Sequence, residues 1–331
     1  MRKRISFFVV VGALILGTAI GCSGGDKTAE GTTGTPPAAE GKKYKVAISV
    51  PAADHGWTGG ALYWATEETK KYPDIEWTIE TAQTPDEQVN DLDTLATKGI
   101  DALVVLAHES GPLTPKAKEL HDRGILIVNV DRGFTEPVAD VYLAGDNKEF
   151  GKMSAEFMVT KLNGKGKILI LRGLPCTVDT DRYDAAMEVF KANPGIEVLD
   201  SQPGRWSRDE AYKVTQNMLL KHKQVDAIWS SDDDMSEGAE QALKEAGRDK
   251  NIWMLGGGGK KEIVKRIMDG DPMYPATVTY PPSMTAQAVA KCVEILKNGK
   301  KVEEKDKSIL IKLDVVTKDN GKDFHFPDSV Y

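Results

Sequence analysis

Several carboxylate and guanidinium side chains directly follow apolar runs of this sequence. Asp131 and Arg132 follow the run LIVNV, Asp232 follows AIWSS, and Arg182 lies in the stretch after ILILRG. Ionised side chains of this kind form strong, directional hydrogen bonds with polar ligands. The pattern therefore indicates a polar binding site, provided that the fold brings the ends of these runs together.

Two tryptophans occupy comparable places. Asp54, His55 and Trp57 lie in PAADHGWTGG, which follows the run YKVAISV, and Trp206 lies in SQPGRWSRDEA. An indole offers a flat apolar face on which a ligand ring can stack. Packing of Trp57 into a hydrophobic core is the alternative interpretation, but the flanking glycines leave open space beside it.

The segments between these residues predict layers of strands and helices. Beyond residue 43, short apolar runs rich in β-branched residues alternate with stretches in which apolar residues recur at helical spacing. Most runs are continuously apolar, which is typical of parallel strands buried on both faces. In open parallel sheets, ligands bind outside the carboxyl ends of the strands, where the polar residues named above lie.

Two lobes account for the number of apolar runs better than a single sheet does, and the chain exceeds the usual size of one core. A first strand–helix series ends near residues 144–151, and a second begins at GKGKILIL. The prolines of ATVTYPPS mark a crossing between the lobes, and KSILIKLDVV, residues 307–316, predicts one further strand. We therefore expect an α/β protein of two doubly wound lobes.

The first residues predict export and lipid attachment. A basic start, an apolar run and small residues are typical of a secretory signal peptide, here residues 1–21. The segment TAIGC resembles a bacterial lipobox, in which Cys22 is lipidated and becomes the new N-terminus. An uncleaved membrane anchor is the alternative. Residues 22–43, rich in Gly, Thr and Pro, predict a flexible tether behind the lipid.

Charge and cysteine content narrow the class of protein. The formal net charge is −7 at pH 7, and removal of the basic leader makes the remaining body more acidic. Such a body does not bind nucleic acid through its general field. Beyond Cys22 the sequence contains Cys176 and Cys292, too few cysteines for a disulfide framework.

Three other kinds of site have weaker support. The run Asp232–Asp234 suggests a metal, but consecutive side chains point in different directions, and we expect Asp233 or Asp234 to cap the following helix. The segment GGGGKKE suggests an anion site at a helix N-terminus but lacks the P-loop spacing. Asp131 and Asp232 could flank a glycosidic bond, yet the chain beyond residue 43 shows no nucleophile elbow, no catalytic Cys–His pair and no zinc motif. We expect a binding protein without cofactor or metal, with a carbohydrate-active enzyme as the rival hypothesis.

The order of these segments resembles the ribose-binding family of periplasmic sugar-binding proteins, the receptors of sugar ABC importers. The resemblance runs from about residue 44 to 316 and is carried by NVDRG, TDRYDAA, SQPGRWSRDEA and WSSDDDMSEGA. It implies two lobes joined by three crossings. The N-terminal lobe would contain residues 44–146 and 282–308, and the C-terminal lobe would contain residues 147–281 and 309–331.

The resemblance also implies roles for individual residues. Trp57 and Trp206 would cover the two faces of a sugar from opposite lobes, while the charged side chains hold its hydroxyl groups. The implied ligand-binding residues are Asp54, His55, Trp57, Asp131, Arg132, Arg182, Trp206, Asp232, Gly258 and Tyr280. Gly257 and Gly258 stand where the family usually has Asp, and Tyr280 stands where it often has Gln. A monosaccharide other than ribose, or a related polyol, is therefore expected.

The implied mechanism is closure of the two lobes around one ligand. The closed monomer would then present both lobes to an ABC permease, in the periplasm or on the outer face of the cytoplasmic membrane. A membrane sensor is the alternative partner. A sugar-sensing DNA regulator is set aside, because a lipid signal precedes residue 44 where such a regulator would carry a helix-turn-helix.

Overall fold

The computed structural model describes residues 43–53 and 56–331, which form two α/β lobes. The six strands of the first sheet are β1 (Lys45–Pro51), β2 (Glu76–Ala82), β3 (Ala102–Val105), β4 (Leu126–Val130), β5 (Val141–Gly145) and β11 (Ser308–Ile311). They lie in the order β11-β5-β4-β3-β1-β2 and pair in parallel. Their carboxyl ends therefore meet at one edge of the first lobe.

The second sheet repeats this arrangement. Its strands are β6 (Gly166–Arg172), β7 (Ile196–Pro203), β8 (Ala227–Trp229), β9 (Trp253–Gly258), β10 (Ala276–Thr279) and β12 (Val315–Thr317). The order is β12-β10-β9-β8-β6-β7, with parallel pairs except for β12, which runs antiparallel to β10. The expected architecture of two doubly wound α/β lobes is confirmed.

Helices cover both faces of each sheet. Those of the first lobe are α1 (Gly56–Thr69), α2 (Pro85–Thr97), α3 (Ser110–Asp122) and α9 (Met284–Lys297). Those of the second lobe are α4 (Asn147–Lys161), α5 (Thr177–Ala192), α6 (Arg208–Lys221), α7 (Asp233–Glu245) and α8 (Lys261–Asp269). Within the described part of the chain, no helix combines the length and apolarity that crossing a bilayer requires.

The apolar runs become central strands because both of their faces are covered. Every residue of β3 and β4 is buried, whereas β2 at the sheet edge is mostly half-buried. Asn129 is a polar residue within β4, and its Nδ2 donates to the carbonyl oxygens of Val105 and Arg132. Burial of apolar area, at roughly 25 cal/mol per Å², thus stabilises the strands, while the polar exception has its hydrogen bonds satisfied.

The chain passes between the lobes at three places that lie side by side. These crossings are the link from β5 to α4 at Asp146, the link from β10 to α9, and the link from β11 to β12. The Asp146 amide donates to the Ile311 carbonyl at 3.2 Å, and Thr279 and Asp314 exchange two hydrogen bonds of 2.9 Å. The adjacent crossings form a compact hinge.

The third crossing corrects one expectation. The segment 307–316 was expected to be a single strand, and this is wrong. It contains β11 in the first sheet and the start of β12 in the second, separated by Lys312–Asp314. Apolar residues lie on both sides of Lys312–Asp314 because each short strand belongs to a sheet, although the two sheets belong to different lobes. The predicted signal peptide, Cys22 and tether lie outside the described residues.

The buried carboxylate of Glu240 in α7 forms hydrogen bonds with α8 and with the segment before β10. Arg266 donates to both oxygens of Glu240 at 2.6 and 2.9 Å, and Tyr274 Oη donates to Oε2 at 2.8 Å. Lys244 Nζ lies 2.7 Å from Oε1. Burial by itself raises the pKa of Glu240, but these hydrogen bonds outweigh it and hold the pKa at about 2.

A Glu240→Gln variant should be less stable than the parent at pH 7, by about 1–2 kcal/mol, because charge-assisted hydrogen bonds are lost. The folded-state pKa lies below the unfolded value, so the contribution is complete above about pH 4.5 and disappears as the pH falls towards 2. Urea unfolding at pH 7 and pH 3 measures the difference in unfolding free energy between the variant and the parent. Glu188→Gln is the matched control, because Glu188 is exposed. A stability difference that stays constant with pH would contradict the lowered pKa of Glu240.

Candidate ligand-binding site

A small cavity lies between the two lobes. Its lining residues are Trp57, Asp131, Arg132, Val178, Arg182, Trp206, Asp232, Gly257, Gly258 and Tyr280. Every residue predicted for the site that the structure describes is among them, whereas Asp54 and His55 lie outside the described residues. The structure therefore brings residues from distant parts of the sequence to one place.

Strand ends position most of these side chains. Asp131 follows β4, Trp206 follows β7, Asp232 follows β8, and Tyr280 follows β10. Trp57 lies in the first turn of α1, directly after the loop that leaves β1. Because the strands that these residues follow are parallel within each sheet, their carboxyl ends meet at one edge, and both edges border the cavity.

Left-handed backbone conformations occur where strands end at the cleft. Asp131 has φ 63°, Arg205 and Trp206 each have φ 57°, and Ser231 has φ 52°. This region costs a non-glycine residue roughly 1–2 kcal/mol. Surrounding hydrogen bonds hold the strained turns, as the Arg172 carbonyl does by accepting from the amides of Gly204 and Arg205. Such local strain is typical of functional sites.

Arg132 is a buried charge in the lining of the cavity. Its side chain is 2% exposed, and Nη1 donates to the His108 carbonyl at 2.8 Å. Its guanidinium carbon lies 5.0 Å from the centroid of the Trp206 ring, which belongs to the opposite lobe. Its Nε lies 3.7 Å from Asp131 Oδ2. Arg132 thus joins the two lobes through a cation–π contact.

A chain of hydrogen bonds connects the remaining polar groups. Arg182 donates from Nε to Asn147 Oδ1 at 2.9 Å and from Nη1 to the Ser231 carbonyl at 3.0 Å. Asn147 Nδ2 donates to Tyr280 Oη at 3.2 Å, and Tyr280 Oη donates to Asp131 Oδ1 at 2.6 Å. The chain runs from the second lobe, through two hinge residues, to the first lobe.

Burial sets the protonation of this chain. Burial raises the pKa of Asp131, opposed by the charge of Arg132 and the hydrogen bond from Tyr280. Burial, followed by the charge of Asp131, raises the pKa of Tyr280 well above its ordinary value. The phenol therefore keeps its proton and acts as the donor to Asp131.

The two indoles are held differently. Trp57 Nε1 donates to the Tyr280 carbonyl at 2.7 Å, so its edge is attached to the hinge. Trp206 lies over Gly173, where an added methyl group would overlap the indole. Trp57 is 6% exposed and Trp206 is 5% exposed, so the closed lobes cover both rings.

Two cavity-lining donors are buried without a hydrogen-bond partner among residues 43–53 and 56–331. They are Arg132 Nε and Trp206 Nε1. A buried donor without an acceptor costs roughly 1–3 kcal/mol. The lining also contains two guanidiniums, Arg132 and Arg182, and the carboxyl groups of Asp131 and Asp232, whose pKa values burial raises. The site therefore suits a ligand rich in hydrogen-bond acceptors.

The lobes are closed against each other. The Thr177 amide donates to Ser110 Oγ at 3.1 Å, and the Gly133 amide donates to Thr177 Oγ1 at 2.8 Å. Arg205 and Glu109 form an ion pair of 3.8 Å across the same cleft. The cavity has a volume of about 30 Å³, enough for one or two waters. A larger ligand requires the lobes to separate or the lining side chains to move.

Two aspartates of the run Asp232–Asp234 accept hydrogen bonds at the N-termini of helices. Asp232, rather than Asp233 or Asp234, caps α7, because its Oδ1 accepts from the Met235 amide at 2.8 Å. The cap expected at Asp233 or Asp234 is therefore wrong. Asp233 Oδ2 instead accepts from the amides of Gly259 and Lys260 at 3.0 and 2.9 Å. This internal carboxylate occupies the anion position suggested by GGGGKKE. Among the residues described, no group of three or more side chains could hold a metal.

Sequence reasoning missed three contributors. Asn147 bridges Arg182 and Tyr280, Phe150 lies under Arg182 with 3.9 Å between the guanidinium carbon and the ring centroid, and Val178 lines the cavity. Asn147 and Phe150 belong to AGDNKEFG, which marked only the end of a lobe in the sequence. The position of this segment at the end of a predicted strand could have identified Asn147 as a site residue.

A Tyr280→Phe variant should lower the free energy of unfolding by about 1–2 kcal/mol, because buried Asp131 and Asn147 lose their shared hydroxyl partner. Urea unfolding of the ligand-free protein measures this change. Tyr183→Phe is the control, since Tyr183 is half-buried under Arg172 and lies outside the cavity. Equal stability of Tyr280→Phe and the parent would contradict the hydrogen-bond chain.

Comparison with known proteins agrees with this geometry. The chain is 24% identical to the ribose import binding protein RbsB of Bacillus subtilis (strain 168) over 263 residues, 80% of this chain and 85% of that protein. It superposes on the crystal structure of a galactofuranose binding protein with a TM-score of 0.80 and 25% identity, covering 87% of this chain and 100% of the other.

The fructose binding periplasmic domain of a hybrid two-component system is also similar. The TM-score is 0.78 and the identity is 26%, covering 85% of this chain and 93% of that domain. Residues 46–301 match the family described as periplasmic binding protein domain. With two α/β lobes closed over a central cavity, the chain belongs to the periplasmic binding protein family.

Proposed function

We propose that this protein is an exported, lipid-anchored receptor that binds a monosaccharide or related polyol and delivers it to an ABC importer. One observation carries the proposal. Two indoles from opposite lobes, Trp57 and Trp206, line the same cavity as two guanidiniums and two carboxyl groups. A sugar has weakly polar ring faces and hydroxyl groups at its edge, and these side chains match both features.

The hydrogen-bonding state of the cavity supports a polyhydroxylated ligand. The unpartnered donors Arg132 Nε and Trp206 Nε1 need acceptors, which sugar hydroxyl oxygens supply. The named relatives, a ribose import binding protein and a galactofuranose binding protein, add support for the sugar class.

Ligand capture takes place by motion about the hinge. Opening separates Trp206 from Arg132 and exposes the cavity, and closing restores the contacts between Thr177 and the first lobe. A ligand shifts the population towards the closed form by as much as it prefers that form. The side chains supply binding and no chemical step, so the protein is a receptor and not an enzyme.

A membrane sensor is a second candidate partner. The similarity to the fructose binding periplasmic domain of a hybrid two-component system favours it. Both candidates share ligand-driven closure and differ in the protein that reads the closed form. Co-purification with a permease after membrane crosslinking would support the importer, whereas recovery of a sensor kinase would replace it.

Tryptophan fluorescence during titration with pentoses, hexoses and polyols tests ligand binding. We expect a saturable change with one compound, because Trp57 and Trp206 border the cavity, and recovery of that compound unaltered. Conversion of the compound into product would favour the carbohydrate-active enzyme instead.

Arg182→Ala should weaken binding of the best ligand by about 30-fold or more, because a charge-assisted hydrogen bond and its buried partners are lost. Isothermal titration calorimetry measures the affinity. Arg208→Ala is the control, since Arg208 is an arginine of the same lobe that pairs with Glu237 at the surface. Unchanged affinity of a folded Arg182→Ala variant would remove Arg182 from the proposed site.

Cys22→Ser should abolish fatty-acid labelling and release the protein from the membrane fraction, because the lipid is attached to that thiol in the proposed lipoprotein. Metabolic labelling with an alkyne fatty acid, followed by fractionation, measures both effects. Cys176→Ser is the control. Persistent labelling of Cys22→Ser would contradict the lipid anchor.

A further inference from the structure

Tyr331 lies buried between the two lobes, next to the hinge. It comes after β12 of the second lobe, yet its ring packs against α1 of the first. Carbons of its ring lie 3.3 Å from the position of a Cβ on Gly56, and its Cβ lies equally close to that position on Gly60. Its side chain is nearly inaccessible to solvent. Glycines in the first turns of α1 thus leave the space that this ring occupies.

The hydroxyl group of Tyr331 lies against Gly258, one of the residues that line the cavity. A methyl group on Gly258 would overlap Tyr331 Oη, and Gly258 itself lines the cavity at the end of β9. This strand end lacks a polar side chain of its own, because Gly257 and Gly258 follow one another there. The phenol therefore places a hydroxyl where the strand end offers none.

That hydroxyl has no hydrogen-bond partner within residues 43–53 and 56–331, and no contact with solvent. A polar group in this condition is costly unless something satisfies it. Burial, followed by the charges of Asp232, Asp233 and Asp234, raises the pKa of Tyr331 well above its ordinary value. The group is accordingly a protonated donor without an acceptor in the described part of the chain, within range of the charge of the cavity residue Asp232.

We propose that Tyr331 is a specificity-determining residue of the ligand site, whose ring closes the hinge side of the cleft and whose hydroxyl donates a hydrogen bond to one hydroxyl oxygen of the bound sugar. This inference rests on the proposed function. It identifies Tyr331 as part of a site that the sequence placed only at strand ends. A ligand hydroxyl then satisfies a donor that the protein leaves unpaired.

The test compares Tyr331→Phe with the parent, using the monosaccharide that binds most tightly and each of its monodeoxy analogues. We expect Tyr331→Phe to bind the parent sugar about 5- to 30-fold more weakly, the effect of one hydrogen bond. For one monodeoxy analogue the two proteins should bind equally, because the accepting hydroxyl is absent. Tyr63→Phe is the control, since Tyr63 lies exposed on α1.

A second measurement does not depend on any sugar. The ligand-free Tyr331→Phe variant should unfold at the same temperature as the parent or higher, because the hydroxyl it lacks is unsatisfied. A clear fall in unfolding temperature would reveal a structural hydrogen bond and overturn the inference. Equal sugar affinity of variant and parent, or the same weakening for every analogue, would also overturn it. A parent protein that binds no sugar or polyol refutes the proposed function itself, and this assignment with it.

Discussion

The hydrogen-bond chain from Arg182 to Asp131 is the interaction on which the closed structure depends. It passes through Asn147 and Tyr280, which both lie where the backbone crosses between the lobes. A buried guanidinium and a buried carboxyl group would each be costly alone. Linked through the hinge, they compensate each other, and the two lobes acquire a defined relative position. The Trp57 indole joins the same hinge residue through the Tyr280 carbonyl.

Within the part of the chain that the structure describes, the closed form leaves two hydrogen-bond donors of the cavity unsatisfied, and these are available to a ligand. The protein satisfies the hinge side of the cavity from within, but Arg132 Nε and Trp206 Nε1 stay without partners among the described residues. Closing without a ligand therefore carries a penalty of roughly 1–3 kcal/mol for each donor. In the proposed function, a ligand that removes these penalties favours the closed form by the same amount, which is the free energy that drives a population shift.

Sequence reasoning located the strand-end residues because one geometric rule covers them. Asp131, Asp232 and Trp206 follow parallel strands, and parallel strands present their carboxyl ends together. The rule does not extend to contacts made within the cleft. Helix-capping preferences assigned the cap of α7 to Asp233 or Asp234, whereas the structure gives it to Asp232 and uses the Asp233 carboxylate at the N-terminus of α8. The strand-end rule also gave no role to Tyr331, because residues that follow the last strand carry no comparable constraint.

The amino-acid order by itself determined the two-lobed α/β architecture and the set of strand-end residues, because hydrophobic periodicity and strand polarity are local properties. Only the tertiary structure decided which of these side chains touch. Tyr280 and Asp131 lie 149 positions apart and meet at 2.6 Å, and the Tyr331 ring fills space left by Gly56 and Gly258. Such contacts depend on the packing of one lobe against the other, which no local pattern encodes.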